Sequence, residues 1–174
     1  SGSGITGSFN NSTGVLTLSG TTTKALYEQT LESVTYQNTS DTPSTSARTI
    51  TWQVNDGSGA NNLSSAVTST VAVNAVNDAP VVSGAGATLA YTENASATVI
   101  DADLTLSDVD SNNLTGATVT ISENFQSGGE DVLAFTAAGG SNITGSFNNS
   151  TGVLTLSGTT TKALYEQTLE SVTY

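Results

Sequence analysis

The segment Ile5–Tyr36 reads ITGSFNNSTGVLTLSGTTTKALYEQTLESVTY, and residues 143–174 repeat it letter for letter. The two copies are offset by 138 residues, and no substitution separates them. Identity without drift indicates recent duplication of a long unit, as in arrays of near-identical modules. The sequence therefore predicts a tandem-repeat protein. Below, residues 5–36 are called the first copy and residues 143–174 the second copy.

Pro80 marks the expected boundary between repeat units, because it follows a short Asn-Asp-Ala connector. Residues 1–79 are then the C-terminal part of one repeat, and residues 80–174 are the N-terminal part of the next. Two explanations of these permuted ends stay open. Either the ends are arbitrary, or chains complete one another by exchanging strands across open sheet edges.

Alternating apolar residues predict several short strands, as in Ile50, Trp52 and Val54, where polar residues stand between the apolar ones. Turns rich in Asn, Gly, Ser and Asp separate these segments, and strands at such spacing favour an all-β sandwich. The other predicted strands centre on Leu16/Leu18, Val67/Val71/Val73, Leu104/Leu106, Ala117/Val119/Ile121, Leu133/Phe135 and Leu154/Leu156.

One segment in each copy departs from this alternation. Thr23–Leu31 places a capping threonine before Tyr27 and Leu31, which stand one helical turn apart. We expect one short helix there and at Thr161–Leu169, each followed by a strand, through Val34 and Tyr36 in the first copy.

The charge balance excludes some partners. Three basic residues face fifteen acidic ones, for a formal net charge of −12. Nucleic acids and anionic membrane surfaces are bound through clusters of Lys and Arg, which this sequence lacks, so neither is expected as a partner. No apolar run approaches the roughly 20 residues of a membrane span, so membrane insertion is not expected either. An acidic chain of this kind attracts cations instead.

The residue types argue against catalysis. The sequence contains no His and no Cys, so the commonest general base and the thiol nucleophile are both missing. Acidic pairs stand at predicted turns near the connector rather than in an evident pocket. We therefore expect that the protein is not an enzyme.

The stretch Ile50–Val82 resembles the last two strands of a cadherin-type repeat. Asp56-Gly57 matches the hairpin turn of such repeats, and Asn77-Asp78-Ala79-Pro80 matches their linker. Thr92-Glu93-Asn94 and Asp108–Asn113 resemble the Glu-Asn pair and the Asp-x-Asp-x-x-Asn loop of the following repeat. The helix-containing segment is similar to the long cadherin-like repeats of bacterial surface adhesins.

The resemblance implies a Greek-key β-sandwich of cadherin or immunoglobulin type, with one short helix per 138-residue repeat. It also implies Ca²⁺ at the junction between repeats, since calcium takes six to eight oxygen ligands. Nine of the fifteen acidic residues fall between Asp78 and Asp131, which adds two nearby carboxylates to the candidates. The candidate metal ligands are Asn77, Asp78, Glu93, Asp108, Asp110, Asn113, Asp101 and Asp103.

Three functions are compatible with these observations. The first, implied by the resemblance, is a calcium-rigidified spacer in a large secreted or cell-surface adhesin, contacting neighbouring repeats of the same chain. The second is a subunit of an extracellular fibre, in which identical chains exchange strands. The third is a module that binds matrix or glycans.

Overall fold

The computed structural model describes residues 4–174 and divides into two compact units, of which the first ends at Ser40 and the second is Asp41–Tyr174. Over the described range the chain forms nine β-strands and two nine-residue helices. The predicted all-β class with one short helix per repeat is confirmed. The predicted boundary at Pro80 divides the sequence into repeat units, which differ from the compact units of the structure, and it stays a prediction.

The first unit contains one hairpin and one helix. β1 (Thr6–Asn10) and β2 (Val15–Ser19) pair antiparallel around the turn 11–14. Gly14 has a φ of +71°, which an L-residue with a side chain rarely adopts. Helix α1 (Lys24–Glu32) begins after Thr23, whose hydroxyl accepts the backbone N–H of Leu26 at 3.4 Å.

The second unit contains three separate antiparallel sheets. Two of them have two strands each, and the third has three strands with β9 at its centre. The helix α2 follows β9 directly and packs on β6, β7 and β9. The elements are β3 (Arg48–Trp52) with β4 (Val67–Val71), β5 (Val81–Ser83) with β6 (Thr105–Ser107), β7 (Asn113–Thr120), β8 (Thr144–Asn148) and β9 (Val153–Thr161) in the order β7-β9-β8, and α2 (Lys162–Glu170).

The hydrophobic core lies in the second unit. Apolar side chains of β9 and α2 form its centre, because the alternation of β9 and one face of α2 both point inward. Side chains from residues 100–147 pack around them. The buried members are Leu133, Ile143, Leu154, Leu156, Tyr165, Leu169 and Val172.

The two copies share their local structure. Helices α1 and α2 cover the same nine-residue sequence, with Thr23 and Thr161 in the same capping position. Tyr27 and Tyr165 each donate a hydrogen bond to a backbone carbonyl seven residues earlier, at 2.5 and 2.6 Å. These features depend only on residues within each copy, so identical sequence gives identical geometry.

The burial of the two copies differs. Leu154 is 1% exposed, whereas its counterpart Leu16 is 40% exposed. Phe9 is 61% exposed, while Phe147 is half-buried against the core. β9 also continues for four residues beyond the point at which β2 ends. The difference must come from residues outside the copies, because the copies themselves are identical.

Two predicted strands differ from the structure. Residues 34–40 form no strand, and the corresponding part of the second copy contributes only isolated bridges from Thr173 to Val99 and Ala134. The segment Leu133/Phe135 likewise takes part only in the bridge at Ala134. A strand at either segment needs a pairing partner from a distant part of the chain, and the alternation of apolar residues does not show whether that partner is present. The Greek-key connection between two packed sheets stays a prediction, because the strands form four small sheets.

Candidate functional site

The loop Asp108–Asn112, called the acidic loop below, connects β6 to β7. The Asp108 carboxylate organises it, since its Oδ1 accepts the backbone N–H of Asp110 at 3.1 Å and of Ser111 at 2.8 Å. Side-chain-to-backbone bonds of this kind are how Asp stabilises a turn at the end of a strand. The sequence Asp-x-Asp-Ser therefore folds into a tight loop with two carboxylates on it.

The connector before β5 contacts the acidic loop. The backbone N–H of Asp78 donates to Oδ2 of Asp110 at 2.8 Å, although 32 residues separate them. The neighbouring Asn77 side chain donates to the carbonyl of Asp78 at 2.5 Å. The structure thus brings together two of the sequence motifs from which the candidate site was predicted.

The pKa of the Asp108 carboxyl lies below its usual range. The main cause is the hydrogen bond from the Ser111 N–H, and the N–H and side chain of Asp110 and the charge of Lys162 act in the same direction. Partial burial opposes them by disfavouring the charged form. Asp108 is therefore a carboxylate at neutral pH, which is the form that a cation requires.

Asp101 and Asp103 lie at the other end of β6. Asp101 Oδ2 accepts the N–H groups of Gly86 and Ala87 at 3.0 and 3.1 Å, and its Oδ1 accepts the N–H of Asp103 at 3.0 Å. These three bonds lower the pKa of Asp101. Four residues lie between Asp103 and Asp108, and the five steps of chain through β6 span roughly 16 Å when extended. Asp101 therefore fixes a local turn, apart from the acidic loop.

Glu93 and Asn113 complete the set of candidate ligands. Glu93 is exposed in a turn closed by a hydrogen bond from Ala95 N–H to the carbonyl of Thr92 at 3.0 Å. Asn113 is the first residue of β7 and pairs with Thr161. In the part of the chain that the structure describes, no three acidic side chains converge as a ready metal cluster. The loop carboxylates and the connector are the candidates that lie together.

Lys162 is a member of this region that the ligand prediction left out. Its Nζ donates to the backbone carbonyl of Asp108 at 2.5 Å, and its own N–H donates to the carbonyl of Asn112 at 3.0 Å. The pairing of Asn113 with Thr161 places the start of α2 beside the acidic loop. The sequence did offer a signal for Lys162: it is one of only three basic residues, and it stands where a predicted strand meets a predicted helix.

A second polar contact holds the chain's last residue. The Tyr174 hydroxyl donates to Oδ1 of Asp131, and Oδ2 of Asp131 accepts the N–H of Gln126 at 2.7 Å. These bonds lower the pKa of Asp131 and raise that of Tyr174. Tyr174 also meets the Tyr91 ring edge-on, with centroids 4.9 Å apart. The contact anchors the end of the second copy.

Comparison with known proteins gives one similarity of limited extent. Over 87 residues the chain is 40% identical to halomucin of Haloquadratum walsbyi strain DSM 16790. The match covers 48% of this chain and 1% of halomucin, so halomucin has several thousand residues. No family model and no solved structure matches the chain. Between residues 4 and 174, neither helix is long and apolar enough to cross a membrane.

Proposed function

We propose that the chain is a cadherin-like repeat module of a large surface-exposed or secreted adhesin, and that calcium stiffens the connector at Asp78. The internal repeat and the similarity to a protein of several thousand residues support a module in a long array. The all-β fold supplies a scaffold suited to such a spacer. The proposed role is to hold a distal binding domain away from the cell.

The hydrogen bond from Asp78 to the Asp110 carboxylate carries the calcium part of the proposal. It places the connector against a loop with two carboxylates, Asp108 and Asp110. Calcium accepts carboxylate and backbone carbonyl oxygens, and all three residues offer such groups. A cation held there would tie the connector to the loop, so that bending the chain at the connector would cost coordination energy.

Calcium titration followed by calorimetric melting tests this proposal. An ion that binds only the folded protein raises its stability by mass action, so we expect the melting temperature to rise with calcium at constant ionic strength. Asp110→Asn should abolish the rise, since it removes the charge but keeps the shape. Glu123→Gln is the matched control, because Glu123 is exposed, follows β7 and is not a candidate ligand.

Solution scattering provides the second readout. Calcium should stiffen and lengthen the particle if it fixes the connector, and the Asp110→Asn chain should show no such change. The acidic loop would be excluded as the site if the melting temperature did not change in millimolar calcium. It would also be excluded if calcium raised the melting temperature equally in the Asp110→Asn chain and in the control variant.

A further inference from the structure

Nine Asn-x-Ser/Thr triplets occur in the sequence, and this triplet is the acceptor for N-linked glycans. In a chain rich in Thr, Ser and Asn, such triplets also arise without a role, so the sequence alone does not select among them. The structure does, because glycan transfer needs an exposed triplet whose asparagine amide is not held by another group. The nine asparagines are Asn10, Asn11, Asn38, Asn62, Asn94, Asn113, Asn142, Asn148 and Asn149.

The turn between β8 and β9 carries two overlapping triplets, which begin at Asn148 and Asn149. The Asn148 side chain closes this turn, because its Oδ1 accepts the backbone N–H of Ser150 at 2.9 Å. The Asn148 carbonyl accepts the N–H groups of Thr151 and Gly152 at 3.1 and 2.9 Å. Asn148 therefore holds the turn, and the Asn149 side chain contributes no hydrogen bond to it.

The second of these triplets lies at an exposed tip with a fixed base. Asn149, Ser150 and Thr151 are all exposed. Gly152 closes the turn with a φ of +70° and lies so close to Phe125 that an added Cβ would stand 2.9 Å from the ring. The base of the turn is therefore packed against the protein, while the Asn149 amide and the Thr151 hydroxyl stay accessible.

The first copy has the same turn. The Asn10 Oδ1 accepts the N–H groups of Ser12 and Thr13 at 2.9 and 3.2 Å, and the triplet that begins at Asn11 is exposed throughout. The copies differ in burial elsewhere, but the turn does not change with it. The arrangement therefore follows from the local sequence, and it does not depend on what packs against either copy.

Two other acceptor amides are engaged in hydrogen bonds. The Nδ2 of Asn38 donates to the Tyr36 hydroxyl at 3.4 Å. The Nδ2 of Asn62 donates to Oδ1 of Asn55 at 3.3 Å. An amide nitrogen that already donates within the protein is less available to a reactive sugar.

The backbone restricts the remaining triplets. Asn113 belongs to β7 and pairs with Thr161 in the sheet. The triplet at Asn142 has Ile143 as its middle residue, which is only 5% exposed. Asn94 has a φ of +63° and follows Glu93, whose carboxylate repels an anionic donor. Asn11 and Asn149 are therefore the acceptors that the structure favours.

We propose that Asn149 and Asn11 are N-glycosylation sites. The co-substrate is an oligosaccharide carried on a polyprenyl phosphate. Transfer forms a bond from Nδ2 to the anomeric carbon of the first sugar, the bond from that carbon to the phosphate oxygen breaks with its electron pair staying on the phosphate, and the amide loses one proton. The inference rests on the surface-exposed or secreted location in the proposed function, but not on the calcium site.

The test incubates the folded 174-residue chain with a lipid-linked oligosaccharide and a single-subunit oligosaccharyltransferase. The enzyme is first shown to accept free peptides of residues 145–155 and 109–118, so that refusal of a triplet in the folded chain reports the fold. Intact-mass spectrometry should show two glycans per chain. Cleavage after lysine and arginine separates the sites, because residues 1–24 contain Asn11 and residues 49–162 contain Asn149.

Two matched variants distinguish the overlapping triplets. Thr151→Ala removes the hydroxyl that the Asn149 triplet needs and leaves the Asn148 triplet intact, whereas Ser150→Ala does the reverse. Both keep the backbone N–H groups that close the turn. Thr151→Ala should lose one glycan, and Ser150→Ala should keep both. Thr13→Ala and Ser12→Ala form the same pair in the first copy.

The protein purified from the cells that make it should carry a glycan at Asn149. The inference would be overturned if Asn149 were unmodified there, or if the folded chain were refused by an enzyme that accepts the peptide of residues 145–155. Loss of a glycan in Ser150→Ala instead of Thr151→Ala would overturn it too, and so would attachment at Asn94 or Asn113 in place of Asn149. Because the calcium titration uses the unmodified chain, failure of either experiment leaves the other proposal standing.

Discussion

Replacing Leu154 and Leu16 separately by alanine compares one substitution in two environments. Each leucine sits in the same 32-residue sequence, so changes in strand propensity and in local unfolded-state structure are matched. The exposed fraction is 1% at Leu154 and 40% at Leu16. Any difference in the cost of the two substitutions therefore reports tertiary packing.

The expected costs differ severalfold. A buried Leu→Ala substitution loses the transfer free energy of the removed atoms and leaves a cavity, together 2–5 kcal/mol in general, so Leu154→Ala should cost about 3 kcal/mol. Leu16 is not among the buried residues, so its truncation leaves no enclosed cavity. Only part of the roughly 1.5–3 kcal/mol for burying a whole leucine is lost there, and Leu16→Ala should cost about 1 kcal/mol or less.

Urea unfolding measures these costs. With a slope of about 2 kcal/mol per molar urea, Leu154→Ala should lower the midpoint of the second unit by about 1.5 M. Trp52 lies in that unit and reports it by fluorescence. Leu16→Ala should leave the Trp52 transition in place and change only the signal of the first unit in circular dichroism. Equal midpoint shifts of the Trp52 transition for the two variants would refute the difference in packing.

Two further predictions concern tyrosines. Tyr165→Phe should lower stability by about 1 kcal/mol in urea unfolding, because a buried hydroxyl loses its hydrogen bond to Gly158, whereas Tyr27→Phe in the half-buried first copy should cost less. The Asp131–Tyr174 contact should be lost at both pH extremes. The pKa of Asp131 is depressed, so its contribution to stability is present above the ordinary carboxyl pKa and disappears as pH falls through the folded value. The pKa of Tyr174 is raised, so its contribution is present below the ordinary phenol pKa and disappears as pH rises through the folded value. Absorbance titration should show two tyrosines ionising late, because burial also raises the pKa of Tyr165. Asp131→Asn should return one of the two toward the ordinary value; an unchanged titration in that variant would contradict the contact.

Local features were predictable from the sequence. The helix in each copy was expected from Thr23 and Thr161 as capping residues, and both helices begin at the next residue. β2 was predicted from Leu16 and Leu18, whereas its partner β1 was not, because β1 shows no alternation of apolar residues. A cap and a tight turn act over a few residues, so the sequence carries the whole of their cause.

Features that depend on distant partners were not predictable in the same way. Alternation suggested a strand through Val34 and Tyr36, but strand pairing needs a second chain segment, and the equivalent Thr173 bridges only to Val99 and Ala134. The burial difference between the copies is the extreme case. No property of residues 5–36 could reveal it, because residues 143–174 have the same sequence and a different environment.

The residues of the candidate site also differ in how far the sequence alone could place them. The linker and loop motifs contain Asp78 and Asp110, which the structure places in contact, and their role as ligands stays a prediction. Acidic density alone added Asp101 and Asp103, which stand at the opposite end of β6. Their role as ligands stays a prediction, and so does that of Glu93. Lys162 was overlooked because its proximity to the acidic loop depends on the pairing of β7 with β9.

The contrast between the copies also bears on how an array of these repeats would behave. The helix and hairpin form in both copies, but the apolar face of a copy is buried only where residues 80–142 pack on it. In repeat proteins, stability is approximately the sum of each unit's own stability and the interfaces with its neighbours. Leu154, Leu156 and Tyr165 are each at most 1% exposed, in a core that side chains of residues 100–135 complete. Those residues belong to the same predicted repeat unit as the second copy, so this packing contributes to the unit's own stability.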